Sequence, residues 1–329
     1  MGQALMPGDD AVADESRGPR KDPGSPYVSV CIPTHNRATT IGRCISSVLA
    51  QTYQDFECLI VDNASTDATR QEIAQFDDAR IRYIRNPTNI GVIGNHNKCL
   101  MEARGEVVQF VHSDDQLLPE CLATLVPRFR DPSIGLAFAP RRIETNDEEW
   151  RRRCSSLHGP LEPLSEMNDG RSIIYRYLRS HSSANWIGEP TSVMVRRETI
   201  IAVGGFNSNV QQLNDMEAWI RILAESDASW VDTELSIRWH HDDSVTGVNR
   251  NNGRAWLDSA WLAAGIAKND KLDKKLRNAA RWLWVREMAK AARTVVVSSP
   301  IPLRERTSEL RRHLWSVCTT KPLRPMMGC

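Results

Sequence analysis

An apolar, β-branched run at 27–32 opens the ordered pattern, followed by a polar turn, Pro33-Thr34-His35-Asn36-Arg37. Ile41, Ile45, Val48 and Leu49 then recur at helical spacing to about residue 50. A second strand is predicted at 58–61, and Asp62-Asn63-Ala64-Ser65-Thr66-Asp67 follows it. Ser65 or Thr66 is expected to cap the next helix, with Asp67 in its first turn. Further strands are predicted at 81–84, 107–111 and 134–138, with a helix over 91–104. The pattern then loses definition through Pro160–Pro163 and Glu189-Pro190, and Gly204-Gly205-Phe206 marks a turn. Met216, Trp219, Ile220 and Leu223 predict a helix over 215–224. From Trp256 the chain reads as helical and basic to about residue 293, with a further short helix near 305–316.

Strands alternating with helices of this length imply βαβ units and a parallel sheet, an α/β fold of the doubly wound kind. Such sheets bind ligands at the carboxyl ends of their strands. The polar residues directly after the first, second and fourth strands are therefore the site candidates. No internal repeat is present.

Composition narrows the picture. At 329 residues and 41% apolar, the chain affords one large domain with an appendage, and a wholly disordered protein is excluded. The net charge of +1 conceals an asymmetry: residues 251–329 carry 16 Lys and Arg against 6 Asp and Glu, so the remainder is acidic at −9. The organisation expected is a disordered Gly- and Pro-rich segment at 1–25, an α/β domain at 26–250 and a basic, Trp-bearing helical extension at 251–329. None of the eight cysteines forms a C-x-x-C pair, which implies reduced thiols and a cytoplasmic protein. No run of about 18 apolar residues predicts a membrane span, and no apolar signal region opens the chain.

Four groups of residues carry chemistry. His112-Ser113-Asp114-Asp115 follows the fourth strand, and paired carboxylates there suit a hard divalent cation; helix-capping acids are the plainer reading, and spacing leaves both open. Asp62 and Asn63 follow the second strand, where they suit a base edge or a ribose hydroxyl, and His35 follows the first. Asn214-Asp215-Met216-Glu217 enters a helix, with Asp215 a candidate general base or a cap. Arg238-Trp239-His240-His241-Asp242-Asp243 suits phosphate or metal contact, or is a polar surface loop.

Taken in order, these blocks resemble family 2 glycosyltransferases, which have a GT-A fold. The resemblance runs from "VSVCIPTHNRATTIGRCISSVLAQTYQDFECLIVDNASTD" through "RYIRNPTNIGVIGNHNKCL" and "FVHSDDQLLPE" to "VGGFN", "NDMEAWIRI" and "HHDDSVT", about residues 27–247. It implies an inverting, metal-assisted enzyme that moves a sugar from a nucleotide-diphosphate sugar to an acceptor hydroxyl in cell-surface polysaccharide or glycoconjugate assembly, with a saccharide or lipid-linked saccharide acceptor. Pro33, Thr34, His35, Asn36, Arg37, Asp62, Asn63, Asn89 and Asp114 would line the donor site. Asp114, Asp115 and His241 would hold Mg²⁺ or Mn²⁺, and Asp215 would be the base. The chain departs from the family's usual residues at His112, Asn63 and Asn214, where acids are common.

A nicotinamide-binding enzyme would need G-x-G-x-x-G after the first strand, and it is absent. A processive synthase would need membrane spans and Q-x-x-R-W, but Leu235 stands where Gln is required before Arg238-Trp239. A catalytically inactive nucleotide-sugar or carbohydrate-binding pseudo-transferase is the non-enzyme alternative. No nucleic-acid partner is expected. Trp256, Trp261, Trp282 and Trp284 among basic residues suit either packing on the catalytic domain or a second subunit, or peripheral contact with an anionic membrane. The donor sugar, its base and the oligomeric state are open at this stage.

Overall fold

The computed structural model describes residues 24–148, 151–152, 157–180, 184–210, 212–239, 255–297 and 326. The expected disordered segment, His241 and the helix near 305–316 lie outside these residues almost entirely.

The chain begins β1 (Val28–Thr34), α1 (Ile41–Leu49), β2 (Phe56–Asp62), α2 (Thr69–Ile73), β3 (Ile81–Arg85), α3 (Gly91–Glu102) and β4 (Val107–Phe110). It continues with β5 (Gln116–Leu117), α4 (Cys121–Leu125), β6 (Ile134–Phe138), β7 (Arg141–Glu144), β8 (Met167–Asn168) and α5 (Gly170–Ser180). A 3-10 turn (Pro190–Ser192) leads into β9 (Val193–Arg196), α6 (Arg197–Ala202), α7 (Asn214–Leu223), β10 (Asp227–Trp230) and β11 (Ser236–Trp239). Two long helices, α8 (Ala255–Lys268) and α9 (Lys274–Val297), follow.

Eight strands form one sheet in the order β3-β2-β1-β4-β9-β6-β10-β8. β9 is antiparallel to both its neighbours and β8 is antiparallel to β10; the other pairings are parallel. The mostly parallel, doubly wound architecture expected from the sequence is present. The strands explain themselves by alternation: Cys31, Leu59, Val61, Val108 and Phe110 enter one core, while Val30, Ile32, Cys58, Ile60 and Val107 enter the core on the opposite face. α1 lies on the second face through Ile41, Cys44, Ile45 and Val48. A smaller sheet, β5-β11-β7, pairs the segment after β4 with the strand that ends at Trp239.

Several local expectations change. β1 runs on through Pro33 and Thr34, which pair with Val61 and Asp62. Proline is tolerated because β4 stops pairing at Cys31, so no ladder bond is lost on that side. Ser65 and Thr66 do not cap α2, whose flanking residue is Ala68. They bond instead to the neighbouring loop, the Ser65 hydroxyl accepting from Asn36 N at 2.9 Å and Thr66 N donating to Asn36 Oδ1 at 2.8 Å. Asp67 precedes the helix and accepts from Thr69 N at 3.0 Å and Ala38 N at 3.2 Å. Parallel pairing of β1 with β2 sets their following loops side by side, and that juxtaposition outweighs the local capping preference.

The helical extension shares the main core. Trp261, Leu262, Ile266, Leu272, Leu276, Ala280 and Leu283 are buried with residues of α5, α7 and the sheet. Trp282 is 77% exposed, in contrast to Trp261. Five cysteines among the described residues, Cys31, Cys44, Cys58, Cys99 and Cys121, are free and buried. No described helix is long and apolar enough to cross a membrane.

Candidate active site

The carboxyl ends of β1, β2 and β4 gather most of the residues singled out above. The loop after β1 adopts a left-handed turn at Asn36 (φ 52°), and the loop after β2 does so at Ala64 (φ 58°). Asparagine visits that region readily, whereas alanine does so at a cost of about 1–2 kcal/mol; strain of this kind concentrates at functional sites. Thr34 closes β1 with its buried Oγ1 lacking a hydrogen-bond partner.

Asp62 and Asn63 are built into the site wall. Asp62 is completely buried; its oxygens accept from Ser65 N at 2.8 Å and Tyr83 Oη at 2.7 Å, with Arg85 Nε 3.5 Å away. Asn63 Nδ2 donates to Asn89 Oδ1 at 2.7 Å and Gly91 O at 3.2 Å, while its Oδ1 accepts from Asn86 Nδ2 at 3.1 Å and Ile90 N at 2.9 Å. An aspartate lacks the two N–H donors this arrangement uses, which gives the departure at Asn63 a structural reason. Asn86 also donates to Asn95 Oδ1, and Asn89 Nδ2 lies 3.2 Å from His35 Nε2. A chain of asparagines thus runs from the sheet to the His35 ring, with Ile90 and Val92 exposed beside it.

The acidic pair after β4 is not two equivalent ligands. Asp115 is buried, accepting from the Thr191 hydroxyl at 2.8 Å and Trp239 N at 3.1 Å, with His112 Nδ1 3.5 Å from it. Asp114 is more open, with Arg37 Nε 4.0 Å from its carboxylate. Arg43 donates to Asp114 O at 3.1 Å and lies 3.9 Å over the Trp239 ring. The His112 imidazole is disfavoured as a cation by burial, yet its bond to Asp115 and the charges of Asp115 and Asp114 prevail and raise it above its ordinary value. Among the described residues no group of three His, Cys, Asp or Glu side chains is disposed to hold a metal. The Asp114 side chain is 18% exposed, whereas Asp115 holds the loop from behind.

Asp215 sits in the first turn of α7, as the sequence placed it. Burial pushes its carboxyl up to about 6; bonds from Met216 N and the Asn185 side chain oppose that rise, nearby Glu189 adds to it and His112 counters it. Glu189 is itself locked between Arg141 Nε at 2.7 Å and Arg238 Nη1 at 3.3 Å. Burial raises its carboxyl, but Arg141 and Arg238 overcome that and hold it at about 2. Sequence reasoning missed Asn185, Thr191, Arg43 and Arg141. Asn185 and Thr191 flank the Gly188-Glu189-Pro190 turn, whose composition was the available signal; Arg43 and Arg141 carry none, because only folding brings α1 and β7 to this edge.

Comparison with known proteins now bears on this geometry. The model of the glycosyl transferase family 2 matches residues 29–198. The chain is 39% identical over 264 residues to an uncharacterized protein, MT1568, of Mycobacterium tuberculosis, covering 80% of this chain and 83% of the relative. It is 38% identical over 254 residues to the GalNAc(5)-diNAcBac-PP-undecaprenol beta-1,3-glucosyltransferase of Campylobacter jejuni, covering 76% of this chain and 77% of that one. Among solved structures, S. aureus TarS in complex with UDP-GlcNAc matches with a TM-score of 0.65 at 15% identity, over 88% of this chain and 81% of the other, so the two share the GT-A type of fold. With a family model spanning more than half of it and a sheet edge built as described, the chain belongs to glycosyl transferase family 2.

Proposed function

We propose that the chain transfers a sugar, with inversion, from a nucleotide-diphosphate sugar to an acceptor hydroxyl in the assembly of a lipid-linked or cell-surface saccharide. The observation that carries this reading is the place of Asp215, in the first turn of α7 and joined through the 188–191 segment to the acidic loop, where burial raises its carboxyl to about 6. A base of that strength is ionised at neutral pH and still basic enough to accept a hydroxyl proton. The C. jejuni relative is named for action on an undecaprenol-linked saccharide, and TarS binds UDP-GlcNAc; both support the donor and acceptor classes proposed.

The acidic loop fits a Mg²⁺ or Mn²⁺ ion. Hard divalent ions of this size are commonly held by one or two carboxylates, with substrate phosphates and water completing the shell. The Asp114 carboxylate therefore suffices, and a three-residue cluster is not required. Bound there, the ion would neutralise charge growing on the leaving diphosphate. Asp115, through Thr191 and Trp239, orients the loop that presents Asp114. Arg37 offers a guanidinium beside it. His35 and Asn89 flank the nucleoside side of the edge, with Asp62 and Asn63 fixing their loops.

The test is release of UDP from UDP-glucose and UDP-N-acetylglucosamine with Mn²⁺ and an undecaprenyl-diphosphate-linked saccharide. Turnover is expected in the wild type, falling at least about 10²-fold in Asp114→Ala and Asp215→Asn. NMR of the product reads the anomeric configuration. Tight binding of donor without turnover would overturn the enzyme reading in favour of a pseudo-transferase.

A further inference from the structure

We propose that Asn185 is the positioning residue of the base: it closes the 185–191 turn, which pins the helix carrying Asp215 to the acidic loop. The proposal rests on the reading of Asp215 as the base.

Asn185 closes a turn with three side-chain bonds. Its Oδ1 accepts from Ile187 N at 3.0 Å and Gly188 N at 2.9 Å, which folds the segment into a turn. Its Nδ2 donates to Gly188 O at 2.6 Å, and the same side chain acts on the Asp215 carboxyl as a donor that favours its ionised form. Gly188 O also accepts from Trp219 Nε1 at 2.9 Å. Trp219 lies one helical turn beyond Asp215 on α7, so the turn is pinned to the helix that carries this carboxylate. Gly188 has φ 131°, and a Cβ there would collide with the Ser192 hydroxyl; the backbone path is therefore tightly specified.

The same short segment reaches the donor side. Glu189 anchors it to Arg141 and Arg238. Thr191, 1% exposed, donates to Asp115 and accepts from His112 N at 3.1 Å. Seven residues thus link the helix that carries Asp215, a buried ion-pair cluster and the loop that presents Asp114. Transfer needs the acceptor oxygen and the anomeric carbon aligned within a few tenths of an ångström, and a rigid strut between base and donor loop supplies that alignment.

The Asn185 amide also acts on the carboxylate electrostatically. An N–H directed at a carboxylate favours its ionised form. Besides Asn185, the groups acting on Asp215 are Met216 N on its own helix, Glu189 and His112. Tyr177 of α5 also lies within its field. With Asn185 shortened, burial and Glu189 act with less opposition, so the carboxyl titrates higher and less base is available at neutral pH.

The experiment follows the carboxyl directly. Protein labelled with ¹³C at the aspartate carboxyls is titrated by NMR, and the resonance missing from Asp215→Asn identifies Asp215. The wild-type midpoint is expected near 6. Asn185→Ala and Asn185→Ser should move it upward by about one unit, with turnover at neutral pH down roughly tenfold and recovering as pH rises. Asn185→Ser retains an oxygen for the turn's amides and carries the test should Asn185→Ala melt early. Affinity for UDP is expected to be unchanged. A wild-type midpoint in both variants, or a loss of rate equal at every pH, overturns the proposal. If instead Asp215→Asn retains wild-type turnover, the assignment of the base fails while the titration still reports on Asn185.

Discussion

Glu189 and Asp215 are both carboxylates near the acidic loop, and their surroundings drive them in opposite directions. Glu189 has two guanidinium partners and is held at about 2. Its folded value lies below the ordinary carboxylate range, so its contribution to stability is present above about pH 4 and is lost as pH falls toward 2. Glu189→Gln removes the buried carboxylate that Arg141, 3% exposed at its side chain, meets at 2.7 Å, and should cost about 3 kcal/mol at neutral pH. Urea denaturation should show that gap, and show it closing in acid. Asp215 carries the opposite sign. Its folded value, about 6, lies above the ordinary range, so ionisation penalises the folded state, fully above pH 6 and not at all below about 4. Asp215→Asn should therefore be more stable than the wild type by about 2 kcal/mol at slightly alkaline pH, with no gain near pH 4. Thermal melts across that range check it; a constant difference would refute the burial argument. Stability sacrificed at one position for reactivity is the expected signature of a working site.

The loops after β1, β2 and β3 act as one unit because side-chain amides stitch them. Asn63→Asp removes both donors from that stitch and sets a carboxylate against Asn89 Oδ1. Rotating the Asn89 amide would restore one bond but break the one from Gly91 N, 2.8 Å. The expected outcome is a loss of about 1–3 kcal/mol and faster hydrogen exchange at Ile90 and Gly91, with core strand amides unaffected. How much was readable in advance follows from how local each feature is. The strands and α1 were legible because alternation and helical spacing are local, and Asp114 and Asp215 were legible as acids at the starts of polar segments. The different roles of Asp114 and Asp115 were not, because burial of Asp115 comes from Thr191 and Trp239, 76 and 124 residues away.

The helical extension is part of the structure that holds the start of α7, where Asp215 sits. Asp258 of α8, 1% exposed, accepts from Leu213 N at 3.1 Å and from Gln212 N, the residues that lead into α7. A negative charge there also complements the helix N-terminus. α9 covers the same core with Leu276, Ala280 and Leu283. A chain ended at residue 254 is expected to melt well below the full-length protein or to aggregate, since it exposes Trp219's neighbours on α7 and the apolar side of α5. Asp258→Ala in the full chain should lower turnover more than affinity for UDP, because it loosens the helix that carries Asp215 and leaves the nucleotide side intact. A truncated chain as stable as the whole would show that the extension is an independent unit.

Alternation, periodicity and the ordered polar blocks were sufficient for an α/β sheet with acids at its ligand-binding edge, and for the family resemblance, because each is written in neighbouring residues. Three matters lay beyond that reach. β9 enters the sheet between β4 and β6, although about 55 residues separate it from β6, since pairing depends on which edges remain open after collapse. The rise in the Asp215 carboxyl depends on burial beneath distant segments, and no local sequence encodes a dielectric. The link from Asn185 to the acidic loop exists only where the 185–191 turn, α7 and β4 meet, because hydrogen bonds of this kind are set by position in space and not by separation along the chain.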